Sequence, residues 1–172
     1  MRPRREEGAM RLLRCLRLDD SDDHVYPRAA QAGEWLVTGT FAFTFSDRDP
    51  EALVGGERAA FEGGFLGLES FGWSTLAVVA EIGDLDYRRL AEVLAAHLRD
   101  EYGAPGLEAA LEEARRELDY TASLADAPVN TIFSLQRRLT GEGVAEQIRI
   151  HRPQSADWQA GQPIRFVPEG TS

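Results

Sequence analysis

The chain has 172 residues, 19 basic and 29 acidic, with a formal net charge of −10, and every one of its fixed bases is an arginine. Without lysine there is no amine for a Walker-type phosphate loop, a Schiff base or a pyridoxal site. The negative charge works against duplex nucleic acid and anionic membranes, both of which need clustered cations to neutralise phosphates.

The charge is uneven. Residues 1–17 carry six Arg against Glu6 and Glu7, net +4, which leaves −14 for the remainder. Residues 1–9 are expected to be a disordered extension ahead of a natural start at Met10, as short polar termini usually are. The longest apolar stretch, residues 76–80, is far short of a membrane span, and no signal-like segment precedes it. A cytoplasmic protein is therefore expected. A single Cys15 cannot form an internal disulfide, in keeping with a reducing compartment.

In chain order, residues 11–18 have the apolar content of a short strand and run into a loop of Asp19, Asp20, Ser21, Asp22 and Asp23. From 35 to 45 the odd positions Trp35, Val37, Phe41, Phe43 and Phe45 are apolar, and period two predicts a strand with one buried face. Asp49 followed by Pro50 and Glu51 is a helix start, with a weak helix to about Glu62 that Gly55 and Gly56 loosen. A glycine-punctuated aromatic segment, 63–72, leads to a nearly continuous apolar run, 73–82. That run predicts a central strand buried on both faces.

Asp84 is expected to cap a long helix whose stripe is Tyr87, Leu90, Ala91, Leu94, Ala95, Leu98 and Tyr102, stopped by Gly103, Ala104 and Pro105. A second helix carries Leu107, Leu111, Ala114, Leu118, Ala122 and Ala125, with Glu112 and Arg116 as an outward pair. Two strands, 131–139 and 144–152, flank Thr140, Gly141, Glu142 and Gly143 as a hairpin. Looping out those four residues sets Leu139 opposite Val144, Arg137 opposite Glu146, Leu135 opposite Ile148 and Phe133 opposite Ile150. One face is then apolar around a single ion pair, and the other collects Gln136, Arg138, Gln147, Arg149 and His151. Residues 153–172 are expected to form an extended tail with Trp158, Ile164 and Phe166 as docking points. The order of elements predicts one α+β domain over 10–152, a largely antiparallel sheet of about five strands with two main helices on one face and a third short helix.

Five constellations bear on chemistry. The acidic run 19–23 suggests a hard cation, but an EF-hand beginning at Asp19 would need Gly at His24 and Glu at Ala30, and a solvated turn is the plainer reading. The segment 63–74 has neither the phosphate-binding glycine spacing nor the last glycine of a nucleophile elbow. It is a tight helix-to-strand turn or, failing that, a pocket wall or partner surface. His97 with Asp100 and Glu101 lacks a third metal ligand and reads as a solvated helix edge, while Cys15 reads as a small buried residue unless the fold brings His24 or His151 to it. Arg138, Arg149 and His151 could together receive a carboxylate or phosphate, although one face of an antiparallel sheet ordinarily meets water.

Arg11-Leu12-Leu13-Arg14 through Leu18-Asp19, Gly33-Glu34-Trp35, and Gly64-Phe65-Leu66-Gly67-Leu68 through Ser70-Phe71-Gly72-Trp73-Ser74-Thr75 resemble a family of small uncharacterised bacterial proteins over about residues 10–152. That resemblance implies no catalytic residue, metal or cofactor. It does imply a place beside the maturation or assembly of metal-cofactor redox enzymes. The expectation is a non-enzymatic accessory protein that docks a partner protein through Phe65, Leu66, Phe71 and Trp73, through the hairpin face of Arg138, Arg149 and His151, or through the tail. The alternative is a small-molecule-binding module or small enzyme with its pocket at 63–74 and polarity from those hairpin residues. A homo-oligomer built on a sheet edge or the tail is compatible with either.

Overall fold

Strand β1, Met10–Leu16, buries Leu12 on one face and Leu13 and Cys15 on the other, as alternation along an extended chain requires. In this computed structural model, which describes residues 10–44 and 49–151 and the backbone of 166–168, β1 lies near the middle of an antiparallel sheet. Its neighbours are β2 (Trp35–Val37) and β5 (Leu76–Ile82). The strand order is β4-β3-β2-β1-β5-β6-β7-β8, where β3 is Phe65–Gly67, β4 Trp73–Ser74, β6 Ile132–Thr140, β7 Gly143–His151 and β8 Phe166–Pro168. The sheet is thus wider than the five strands expected, because short strands split off from segments taken as loops or as one strand. The 1–9 extension, Phe45, and the docking points Trp158 and Ile164 lie outside the described residues. For Phe166 only the backbone is described, paired with Arg149 of β7.

Five helices and one 3-10 turn accompany the sheet among the described residues: α1 (Ser21–Val25), α2 (Phe41–Thr44), α3 (Gly55–Gly63), α4 (Asp84–Tyr102) and α5 (Leu107–Leu124), with the turn at Pro50–Ala52. α4 and α5 cover one sheet face. Leu90, Leu94 and Leu98 of α4 and Ala110, Ala114 and Leu118 of α5 close over Leu12, Val37, Leu66 and Ile82. The other face packs Leu13, Cys15, Leu36, Phe65, Ala77, Val79, Phe133, Leu135 and Ile148. None of these helices is long and apolar enough to cross a membrane.

The hairpin has the register its turn dictates, with Leu139 opposite Val144, Arg137 opposite Glu146, Leu135 opposite Ile148 and Phe133 opposite Ile150. α4 ends at Gly103 in the left-handed conformation (φ 74°), as its stop signal implied. Six expectations are corrected. The strand foreseen for 35–45 stops at Val37, since Gly39 takes φ +85° and the chain turns into α2. The long strand of 73–82 is broken at Thr75, whose N–H and hydroxyl both donate to Asp22 instead of joining a ladder. Its β5 part is central as expected, but the two faces are unequal: Ala77 and Val79 are buried on one, while on the other Leu76, Val78 and Ala80 are half-buried and only Ile82 is sealed. Gly83 rather than Asp84 is the N-cap of α4. On α5 the buried stripe is Ala110, Ala114, Leu118 and Thr121, which leaves Leu107 exposed, and Arg116 pairs with Glu113 rather than Glu112.

Candidate functional site

The turn at Gly39 builds the site. A Cβ there would lie 2.7 Å from Cβ of Leu66 and 3.0 Å from the Trp73 ring, so only glycine permits this approach. Past it, α2 aims Phe41 edge-on at Tyr102 (5.5 Å between ring centroids) and sets Phe43 between Phe61 (5.2 Å) and Trp73 (5.3 Å). Phe43, Phe71, Trp73 and Tyr102 then line a half-open cleft of about 400 Å³. Its remaining wall comes from Pro27 and Arg28 after α1 and from Leu53, Glu57 and Ala60 in and before α3. The Arg28 guanidinium donates to the Ser70 carbonyl at 3.1 Å.

A buried carboxylate holds the loop that presents Phe71. Glu34 accepts from the N–H of Gln31 (2.6 Å), Glu69 (2.8 Å) and Ser70 (2.8 Å) and from the Ser70 hydroxyl (2.7 Å). Four donors satisfy a charge that would otherwise be costly to bury. The glycines of this loop serve the same packing: a Cβ on Gly67 would enter the Glu34 carboxylate, and one on Gly72 would lie 2.5 Å from the Ala29 backbone. So clamped, Phe71 adopts φ 57°, a left-handed conformation rare for a bulky side chain, and its ring stacks on His97 at 3.8 Å with 12° between planes.

A sealed ionic cluster lies beneath Phe43. Arg137, fully buried, donates through Nε to Thr40 (2.8 Å), through Nη1 to the carbonyls of Ala60 (3.1 Å) and Phe61 (3.0 Å), and through Nη2 to the Thr38 carbonyl. It pairs with Glu146 at 3.5 Å, and Glu146 also accepts from Thr40 and from the Tyr120 hydroxyl (3.0 Å). The guanidinium sits 5.3 Å from the Phe43 ring centroid. Glu117 of α5 accepts from the Thr38 hydroxyl and the Gly39 N–H. Desolvation pushes its carboxyl above the usual range, against those two hydrogen bonds, with Glu146 adding to the rise and Arg137 opposing it.

The residues singled out from sequence separate into three groups. Phe71 and Trp73 do line the cleft, half-buried. Phe65 and Leu66 do not reach it: both are buried in the sheet, which corrects their place on an interaction surface. Arg138, Arg149 and His151 are not among its lining residues either. Arg137, one residue from Arg138, points toward α3, so alternation turns Arg138 the other way. Arg149 pairs across from Ser134, four positions along β6 from Arg138, roughly 13 Å at 3.3 Å per residue. His151 meets the Ser134 hydroxyl at 2.9 Å, and burial, aided by Arg149, pushes its basicity down. These three residues therefore do not join the 63–74 segment in lining this cleft.

Other expectations resolve locally. Asp22 is not part of a solvated turn, for it is buried beneath Thr75. His97 is not a solvated helix edge, since its ring lies between Phe71 and Tyr102, and burial lowers its basicity against the pull of Glu101 and Asp100. Cys15 donates to the Ser74 hydroxyl at 3.2 Å, and burial pushes its thiol up, as suits a packed rather than reactive cysteine. No cluster of three His, Cys, Asp or Glu able to hold a metal ion occurs among the described residues. A second cavity of about 420 Å³ is lined by Glu34 itself together with Arg14, Trp35, Asp86 and Arg89 among others, with Arg14 stacked 3.9 Å over Trp35.

Sequence reasoning missed Phe43, Tyr102, Arg28 and Glu57 as cleft residues and Glu34 as its brace. Phe43 and Tyr102 carried a periodicity signal that assigned them to the core. Nothing local marks the other three, which matter only through segments distant in the chain.

No curated protein and no solved structure matches the chain. Over residues 10–161 it matches the family of unknown function DUF6505, and it belongs to that family.

Proposed function

We propose that the protein is a non-enzymatic binding module whose aromatic cleft docks a partner protein. The observation that carries this reading is four aromatic rings held half-open to solvent, one of them, Phe71, in a strained backbone conformation braced by the buried Glu34. Aromatic side chains kept rigid at a surface are the residues that dominate binding energy at interfaces. Strain maintained by a dedicated clamp shapes a surface in advance, and that lowers the ordering cost of association.

The apolar surface also continues beyond the cleft. Val54 (77 % exposed) and Val25 (42 % exposed) flank its lining residues Leu53 and Pro27 in sequence, so an occupant covering them must extend out of the cleft. The test is affinity capture with the full chain, comparing wild type with Phe71→Ser, Val54→Ser and the hairpin variant Arg138→Ser. A stoichiometric partner kept by Arg138→Ser and lost by both cleft variants supports the reading. A partner indifferent to the cleft variants, or none, removes it.

A second reading, a small-molecule pocket, draws on the volume of about 400 Å³, within the range of ligand sites. Retained capture of a compound by the purified chain, lost in Phe71→Ser but kept in Val54→Ser, would select it over protein docking.

A further inference from the structure

The cavity that Glu34 shares with Trp35 has no part in the docking reading. β1 and β2 pair Arg14 directly opposite Trp35, so both side chains leave the same face of the sheet. The Arg14 guanidinium is half-buried and lies 3.9 Å from the centroid of the indole, which covers one of its faces and leaves its N–H edge open. Among the described residues no hydrogen bond or ion pair engages that edge. Arg17, Arg58 and Arg137, by contrast, each hold a carboxylate. Glu34 lines the same cavity, but its two oxygens already accept from Gln31, Glu69 and Ser70. The other charged side chains of the lining, Glu69 in the loop and Asp86 and Arg89 on α4, are exposed and, among the described residues, likewise without a partner. Asp86, Arg89, Leu90 and Val93 recur every three or four residues, so one face of α4 forms this wall.

We infer that this second cavity binds a free amino acid with an apolar side chain. The carboxylate takes the open edge of Arg14, where parallel N–H groups match two oxygens. The ammonium meets Asp86 and Glu69 at the mouth, and the side chain lies against Trp35, Leu68, Leu90 and Val93. Charge decides the class. The unpartnered groups of the lining are two guanidiniums and two carboxylates, so a ligand of one sign meets repulsion while a zwitterion satisfies both. A phosphate dianion would face Glu34 as well. The volume of about 420 Å³ lies in the range of small-molecule sites. This site is independent of the aromatic cleft, and either reading can fail alone.

The experiment titrates the purified full chain calorimetrically with L-valine, L-leucine, L-isoleucine, L-methionine and L-phenylalanine, each beside its counterpart lacking the amine and its counterpart lacking the carboxylate. Arg14→Gln and Asp86→Asn remove one charge from each end of the site. Asp86 is exposed, so Asp86→Asn keeps the fold, and circular dichroism checks Arg14→Gln. The expected result is one-to-one binding of at least one of these amino acids with a Kd of roughly millimolar or below. Either counterpart, and either variant, should bind on the order of tenfold more weakly. Val54→Ser, at the aromatic cleft, should leave the affinity unchanged. No binding by any of the five overturns the inference. So does a deaminated counterpart that binds as tightly as its amino acid and is indifferent to Asp86→Asn, which would make the site one for simple carboxylates. Binding that survives Asp86→Asn and a folded Arg14→Gln but is lost in Val54→Ser belongs to the aromatic cleft and overturns it too.

Discussion

Two regions meet at Phe43, and they obey opposite rules. On one side the cluster of Arg137, Glu146, Thr40, Thr38 and Glu117 is polar and closed: Nε, Nη1 and Nη2 of the guanidinium each find an oxygen, across β6, β7, α3 and the β2–α2 turn. On the other side Phe43, Trp73, Phe71 and Tyr102 are apolar and open to solvent. Buried charge is expected to be paired, and the cluster needs no function beyond fastening the fold. A contiguous open apolar surface has no such structural account, and it is there that a binding role is sought. The lesson is that the most conspicuous chemistry in the molecule, a buried arginine between carboxylates, has a sufficient account as scaffold, while the plainer aromatic surface is the one that carries the proposed binding role.

The comparison breaks most sharply at Arg137. Arg137→Met leaves Glu146 buried without its cation and frees three backbone carbonyls, so unfolding in denaturant should show a loss of about 3–5 kcal/mol. Arg137→Met with Glu146→Met should cost less than Arg137→Met alone, because no orphan charge remains. Were Arg137→Met near neutral, the cluster would not be a fastening.

Next comes the brace of the open side. Glu34→Ala removes the acceptor of three backbone N–H groups and should cost about 2–3 kcal/mol. It should also release Phe71 from His97, which NMR would detect as loss of the ring-current shift on the imidazole. An unchanged His97 signal would mean that the loop holds Phe71 without Glu34.

The third effect is pH-dependent. Burial lowers the basicity of His97 below its ordinary value of 6.5, outweighing Glu101 and Asp100, with Arg28 acting in the same direction as burial. The unfolded chain therefore takes up the proton first as pH falls through that value, and the stabilisation tied to the neutral ring is lost on acidification. His97→Phe should show a smaller loss of stability between pH 7.5 and pH 5 than wild type, read as the difference between the two unfolding curves. Equal slopes would remove His97 from the account. Smallest of all is Val54→Ser, which should change stability by no more than about 0.5 kcal/mol, as for an exposed site. If instead it destabilises strongly, Val54 is structural and not part of a docking surface.

Much of the fold was legible where neighbours in sequence are neighbours in space. The hairpin register, including the buried Arg137–Glu146 pair, follows from a short turn and period-two alternation. The stripe of α4 and its stop at Gly103 follow from the 3.6-residue period and the one residue that enters the left-handed region without cost. Legibility failed where a distant group captured the backbone. The alternating run beginning at Trp35 looked like one strand, but Thr121 and Glu117, about 80 residues on, take the N–H groups of Thr38 and Gly39 and end it. Thr75 was lost to Asp22 in the same way.

The glycine-rich segment shows the division most clearly. From residue types alone it was a turn or a surface, and it is both: Gly67 and Gly72 make room for Glu34 and Ala29, and Phe71 and Trp73 face the cleft. Sequence by itself determined the local elements, the acidic body and which side chains alternate, because dihedral preference, hydrophobic period and charge act within a few residues. Only the tertiary structure decided which aromatics stay open, since that depends on where Glu34, Arg28 and α3 arrive from elsewhere in the chain, and long-range closure leaves no periodic trace.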